Sequence, residues 1–163
     1  MSRVPDPEPA GRAMPLLLRH RLSVRFRDCD PLGHVNNAVY LTYLEQARFN
    51  LWREQLGYIA TSASAGGARG LGFILARVEC DFTAQARYGD ELEVRLSLAG
   101  LGRSSFTYAY EIVEVVSGRR VALAKTVIVR FDYDSQASVP LDESLRQRLA
   151  TPTASALAPL DSL

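Results

Sequence analysis

The sequence predicts an α+β domain in which a curled, five-stranded antiparallel sheet packs against one long helix. Three observations lead there. Five stretches alternate polar and apolar side chains, the period of a strand with one covered face. One stretch, residues 38–56, lacks Gly and Pro and repeats apolar side chains at helical spacing. The last four strand patterns follow one another through short turns, which suits antiparallel neighbours, because parallel ones need long crossovers. One helix against one sheet then makes two layers.

The elements follow in order. His20 to Arg27 is the first alternating run, with Leu22, Val24 and Phe26 on one side. The helix carries an apolar stripe at Tyr40, Tyr43, Leu44, Ala47 and Leu51 and stops at Gly57. A glycine-rich loop runs from Gly66 to Gly72. Ile74, Ala76, Val78, Cys80 and Phe82 then alternate with Arg77, Glu79 and Asp81. Leu92, Val94, Leu96 and Leu98 alternate with Glu93, Arg95 and Ser97, and Phe106, Tyr108, Tyr110 and Ile112 with Ser105, Thr107 and Glu111. Val121, Leu123, Val127, Val129 and Phe131 form the last run. Tyr88-Gly89-Asp90, Gly100-Leu101-Gly102 and Ser117-Gly118 punctuate these runs as turns. In the last strand Ala122, Ala124 and Thr126 share one face. Small side chains there either admit a close neighbour, the helix above all, or simply fill space.

At 163 residues the chain is one domain, able to bury a core without a disulfide or metal staple. Four of its eight prolines fall at Pro5, Pro7, Pro9 and Pro15, and two more at Pro152 and Pro159. Flexible tails are therefore expected over residues 1–15 and 150–163, around a folded domain at 16–149. Nineteen basic against eighteen acidic residues leave a net charge of +1, without the basic excess of a nucleic-acid binder. Of the basic residues only Lys125 is lysine, which reads as compositional bias. Cys29 and Cys80 make no disulfide framework, and His20 and His34, the only histidines, show no metal-ligand spacing. No apolar run is long enough to span a membrane, and acidic Asp6 and Glu8 argue against a signal peptide. A cytoplasmic enzyme is the expectation.

The unusual segment is Phe26 to Tyr40, joining the first strand to the helix. Asp28 continues the parity of Leu22, Val24 and Phe26, so a carboxylate is expected to face the covered side, where it needs hydrogen-bond donors or a raised pKa. Asp30 precedes Pro31, which favours extended backbone. Gly33 allows a turn with positive φ. Asn36 or Asn37 suits the helix N-cap. Asp30 is thus a carboxylate held just ahead of a helix N-terminus, whose free N–H groups can polarise a carbonyl oxygen while the aspartate attacks the carbon or activates a water. Taken by itself, a loop rich in Asp and Asn more often only caps a helix. His34 alone is equally a surface or capping side chain. Glu45, three residues before Arg48, is either half of a helix-surface pair or a carboxylate buried at an interface. Arg103, Ser104 and Ser105, at a Gly-flanked turn, offer a guanidinium, two hydroxyls and backbone N–H groups to a phosphate, or form an ordinary solvated hairpin.

The pattern Asp28-x-Asp30-x-x-Gly33-His34-Val35-Asn36-Asn37-x-x-Tyr40-x-x-Tyr43-x-Glu45-x-Ala47-Arg48 resembles the signature of the 4-hydroxybenzoyl-CoA thioesterase family of the hotdog fold, and is most similar to its bacterial acyl-CoA thioesterase branch. Gly102-Arg103-Ser104-Ser105-Phe106-Thr107 and Val127-Ile128-Val129-Arg130-Phe131-Asp132 are also similar to what that family shows. The resemblance implies an antiparallel five-stranded sheet wrapped around one long central helix. It implies a homodimer paired edge to edge, with a dimer of dimers left open and active sites at the dimer interface. It implies hydrolysis of acyl-CoA, without metal or cofactor. Asp30 matches the catalytic carboxylate, nucleophile or general base, with Gly33, His34 and Asn37 around the helix start that binds the thioester oxygen. Other hotdog branches use a helix carboxylate, which keeps Glu45 as a second candidate. Tyr40 joins the substrate-binding residues, with Arg103, Ser104 and Ser105 on the CoA phosphates. Tyr43, Phe49, Trp52 and Tyr58 offer further aromatic lining. The founding, aromatic-specific branch lacks the His34-Val35-Asn36-Asn37 run, so the resemblance carries thioester chemistry and leaves the acyl group open.

Three other activities stand beside hydrolysis: a non-catalytic acyl-CoA sensor, a hydratase or dehydratase on acyl thioesters, and hydrolysis of an acyl-carrier-protein thioester. The sensor usually carries a DNA-binding segment, for which the proline-rich N-terminal stretch is too short. The hydratase branch has a different Asp/His arrangement. CoA and carrier protein present the same pantetheine arm, and the sequence does not separate them.

Overall fold

The computed structural model describes residues 14–57 and 72–158. The glycine-rich loop before Gly72, Tyr58, and residues 1–13 and 159–163 of the expected tails lie outside the described residues. The order is β1 (Leu16–Ser23), α1 (Asn37–Leu56), β2 (Phe73–Phe82), β3 (Glu91–Leu101), β4 (Ser105–Glu114), β5 (Arg120–Asp132), β6 (Ala137–Ser138), α2 (Glu143–Leu149) and α3 (Ala154–Leu157). The strands form one antiparallel sheet in the order β1-β3-β4-β5-β2, with β6 paired to β5.

The sheet has six strands where five are expected. The two-residue β6 returns on β5 through a turn whose positive φ, 55°, falls on Gln136 and not on a glycine. Asp132 holds that turn by accepting from Asp134 N–H at 2.9 Å and Ser135 Oγ–H at 2.7 Å. No Gly or Pro marks it, and two residues are too few to show alternation.

The first strand also differs. Its ladder begins at Leu16 and ends at Ser23, and Phe26–Asp28 form a single 3-10 turn. Phe26 is therefore 80% exposed, not on the covered side. The turn wins over the alternating pattern because Asp28 accepts from the Arg25 backbone N–H and side chain, closing the chain on itself.

Helix α1 is capped by Asn36, whose Oδ1 accepts from Ala38 N–H at 2.9 Å, and ends at Gly57 in the left-handed region, φ 67°. Its buried side is Tyr40, Tyr43, Leu44, Ala47, Arg48, Leu51 and Trp52, the expected stripe with Arg48 and Trp52 added. It faces Leu92, Val94 and Leu96 of β3, Phe106 to Ile112 of β4, and Ala122, Ala124, Thr126 and Ile128 of β5, the alternate residues buried on each strand. Burying each large aliphatic side chain contributes roughly 1.5–3 kcal/mol. Trp52, Phe73, Phe106, Tyr108 and Tyr110 form a continuous aromatic row with centroids 5.1 to 6.4 Å apart, edge-to-face from Phe73 onward and tilted between Trp52 and Phe73. Among the described residues no helix is long and apolar enough to cross a membrane.

The segment expected to be a free C-terminal tail is docked as far as the described residues reach. Thr153 donates to the Leu17 carbonyl from N–H at 2.9 Å and from Oγ1 at 2.7 Å, and Arg19 N–H donates to Ser155 Oγ at 3.3 Å. Those groups would otherwise stand unpaired on the outer edge of β1. The opposite edge, β2, has no such cover among the described residues, and Leu75 and Phe82 on it are exposed.

Candidate active site

The segment between β1 and α1 is anchored before it turns. Asp28, 3% exposed, accepts from Arg25 Nε at 3.1 Å, Arg25 Nη2 at 3.0 Å, Arg25 N–H at 3.0 Å and Tyr43 Oη–H at 2.9 Å. Burial pushes its carboxyl upward, but the Arg25 and Tyr43 hydrogen bonds prevail and hold it below the ordinary aspartate value. The same carboxylate, after burial, raises the Tyr43 phenol. The Asp28 carbonyl accepts from Asn36 N–H at 2.9 Å, so both ends of the intervening loop are tied to one residue.

Within that loop Asp30 closes a tight turn. Its N–H donates to the His34 carbonyl, its carbonyl accepts from Gly33 N–H, both at 3.0 Å, and its Oδ1 accepts from Leu32 N–H at 2.9 Å. Gly33 sits at φ 81°, a conformation that other residues adopt only with strain. Val35 N–H donates to Ala86 O at 2.8 Å, which draws the segment after β2 against the helix start. His34, Asn37 and Tyr40 then line one cavity of about 230 Å³ with Phe82, Thr83, Ala84 and Gln85. Ala38 N–H is taken by Asn36 Oδ1 and Val39 N–H by the Asn36 carbonyl, whereas Asn37 N–H has no acceptor among the described residues. A helix start that borders a cavity and keeps an unpaired N–H is suited to polarising a carbonyl.

The structure does not bring every expected site residue together. His34, Asn37 and Tyr40 share the cavity; Asp30 and Gly33 form the turn that leads into it and do not line it. Glu45 lines a second cavity, on the same helix, with Arg48 and Thr126. No ion pair links Glu45 and Arg48 among the described residues. The Arg103 turn stands at the far end of the sheet: Gly102 N–H donates to Ser105 O at 2.7 Å between β3 and β4, while the segment carrying Asp30 is tied at Val24 to Asp90, next to where β3 begins, and at Val35 to Ala86. The full length of β3, about 35 Å at the strand rise, separates them within one chain. Arg103 and Ser104 are held there through their carbonyls, which accept from Leu141 N–H and Arg130 N–H, both at 2.8 Å.

Two parts of the site carry no motif. Phe82 to Gln85 reach the cavity only because β2 pairs with β5. Arg48 reads as a helix-surface residue by composition and is buried by its place on the Tyr40-Tyr43-Leu44-Ala47 stripe. Among the described residues no group of His, Cys, Asp and Glu side chains could hold a metal ion.

Comparison with known proteins identifies the family. The sequence model of the Thioesterase-like superfamily matches residues 24–149. A putative esterase of Aquifex aeolicus is 32% identical over 112 residues, 69% of this chain and 80% of that one. The long-chain acyl-CoA thioesterase FadM of Escherichia coli is 26% identical over 132 residues, 81% of this chain and 96% of its own. Among solved structures, a thioesterase of Thermus thermophilus complexed with coenzyme A and Zn is 36% identical at a TM-score of 0.67, covering 84% of this chain and 98% of that one. A probable thioesterase of Escherichia coli, YbaW, is 27% identical at a TM-score of 0.67, covering 82% and 96%.

Proposed function

The chain belongs to the Thioesterase-like superfamily, with its hotdog fold, and is a thioesterase; from that premise we propose that it hydrolyses acyl-CoA thioesters at the start of α1. The observation that supports this reading is a cavity lined by His34, Asn37 and Tyr40 at the start of α1, directly after the Asp30–His34 turn, with Asn37 N–H without an acceptor among the described residues. The thioester carbonyl oxygen is taken by backbone N–H at the helix start, where the positive end of the dipole favours developing negative charge. The Asp30 carboxylate, which accepts from Leu32 N–H alone among the described residues, takes a proton from water as the water oxygen adds to the carbonyl carbon. Collapse of the tetrahedral intermediate breaks the C–S bond, and the departing CoA sulfur receives the proton. In the nucleophilic variant the Asp30 carboxylate adds first, the C–S bond breaks and the CoA thiolate leaves and is protonated, and water then cleaves the resulting anhydride to free acid and the restored Asp30 carboxylate. Gly33 sets the turn that holds Asp30, and His34 and Tyr40 shape the cavity.

A second reading places the carboxylate at Glu45, which lines its own cavity. Arg103, Ser104 and Ser105 can serve Asp30 only from a second subunit, given the length of β3 between them. This fits a homodimer joined along the uncovered β2 edge, with a dimer of dimers as a further step. A carrier-protein thioester remains an alternative donor of the same acyl group. A screen of CoA thioesters of varied chain length and aromaticity, read by a thiol-reactive dye, tests the proposal. Thiol release from at least one ester supports it. Binding without release would instead favour an acyl-CoA sensor, and addition of water to the acyl chain with the thioester intact a hydratase.

A further inference from the structure

We propose that Arg146 is a positioning residue for the nucleotide end of CoA: from α2 it engages the backbone carbonyls of the β3–β4 hairpin, so that the backbone at the Arg103–Ser104 tip offers a phosphate donors alone. This rests on the reading above that Arg103, Ser104 and Ser105 meet the CoA phosphates. Arg146 Nη2 donates to the Gly102 carbonyl at 2.6 Å and stands 3.5 Å from the Arg103 carbonyl, while its Nε donates to the Leu141 carbonyl at 3.2 Å. Leu141 N–H donates in turn to the Arg103 carbonyl, and Arg130 N–H to the Ser104 carbonyl, both at 2.8 Å. The carbonyls of Gly102, Arg103 and Ser104 are therefore all engaged. The N–H groups of Arg103 and Ser104, which lie between the two strands, have no acceptor among the described residues. A carbonyl oxygen turned toward a phosphate repels it, whereas backbone N–H and guanidinium groups bind it.

The Leu141 and Arg130 contacts are made by backbone N–H groups, which any side chain at those positions supplies. The Gly102 contact and the tie from Leu141 to α2 are both made by the Arg146 side chain. A planar guanidinium reaches two carbonyls on separate segments at once, a geometry that a single ammonium does not match. No carboxylate pairs with Arg146 among the described residues. Asp142, the acid that caps α2, accepts instead from Arg130 Nη1 at 2.9 Å, and the same Nη1 donates to the Pro140 carbonyl at 2.8 Å. Arg130 thus fixes the segment leading into α2, and Arg146 carries that fixed position across to the hairpin tip.

The test follows hydrolysis of one acyl group carried on CoA and on pantetheine, and binding of adenosine 3′,5′-bisphosphate by calorimetry. The proteins are the wild type, Arg146→Met, Arg146→Lys, Arg103→Ala and the double variant Arg103→Ala/Arg146→Met. Arg146→Met should raise KM for the CoA ester by about 3- to 10-fold, the worth of one or two hydrogen bonds, and weaken the bisphosphate by a similar factor. Its kcat, and its KM for the pantetheine ester, should stay within about twofold of the wild type, because the phosphates bind equally in the ground and transition states. Arg146→Lys, which keeps the charge and can reach one carbonyl, should lose less. In the double variant the losses should fall short of the product of the two single ones, because both residues act through one tip. If Arg146→Met does not fold, Arg146→Gln is read by the same CoA-to-pantetheine ratio. Equal losses on both esters, or a lower melting temperature with KM unchanged, overturn the proposal and leave Arg146 a brace of the fold. Losses that multiply in full overturn it too, because Arg146 would then act apart from Arg103. Bisphosphate binding that depends on Arg146, with no ester hydrolysed, sinks the hydrolysis reading alone. Hydrolysis with a CoA-to-pantetheine ratio that Arg146→Met leaves intact sinks this proposal alone.

Discussion

Tyr43 Oη donates to Asp28 Oδ2 at 2.9 Å, joining the second turn of α1 to the 3-10 turn two residues ahead of Asp30. The helix and the loop it positions are thereby one unit. Asp28 holds the loop through four hydrogen bonds, whereas the Asp30 carboxylate accepts from Leu32 N–H alone among the described residues, although the sequence offers two similar aspartates in the same motif.

Asp28→Asn should cost stability more than turnover. Loss of the charge weakens the Arg25 and Tyr43 bonds, a penalty of about 1–3 kcal/mol for a buried group losing its partners. The folded-state pKa of Asp28 lies below its unfolded value, so its contribution is complete above the ordinary aspartate value of about 3.9 and fades as pH falls through the lower, folded one. Urea unfolding of wild type and variant should show a gap that is full at neutral pH and closes in acid. A gap that stays constant with pH would contradict this account.

Asp30→Asn should fold normally and lose about 10²- to 10⁴-fold in kcat, the range expected when a general base or nucleophile is removed. Glu45→Gln, measured on the same ester, should lose far less. The reverse ranking, with both variants showing wild-type melting behaviour, would transfer the chemistry to the second cavity.

Arg103→Ala should raise KM for acyl-CoA and leave kcat nearly unchanged, because phosphates bind equally in the ground and transition states. With an acyl-pantetheine substrate lacking nucleotide phosphates the effect should shrink. Equal KM increases for both substrates would remove Arg103 from the CoA arm.

The chain should be at least a dimer at assay concentrations. Leu75→Arg, on the uncovered β2 edge, should weaken association and lower activity together in light scattering and rate measurements across a dilution series. A fully active monomer would separate the site from any interface.

Periodicity and spacing by themselves determined the long helix, its capping by an asparagine at 36 or 37, its stop at Gly57, and the alternating strands β2 to β5. These are local properties, set by side-chain period, turn residues and backbone freedom within a few residues. The positions of Asp30 and Gly33 on one turn before a helix were legible for the same reason. Only the tertiary structure decided the rest. Phe26 is exposed because Asp28 bonds back to Arg25 more favourably than β1 can extend. Asp28 and Tyr43, fifteen residues apart in the chain, meet only when α1 packs. The cavity wall at Phe82 to Gln85 depends on the pairing of β2 with β5, and the separation of Arg103 from Asp30 on the order of strands in the sheet. The burial of Arg48 follows from packing a helix face against strands distant in sequence, and no local pattern encodes which polar residue such packing encloses.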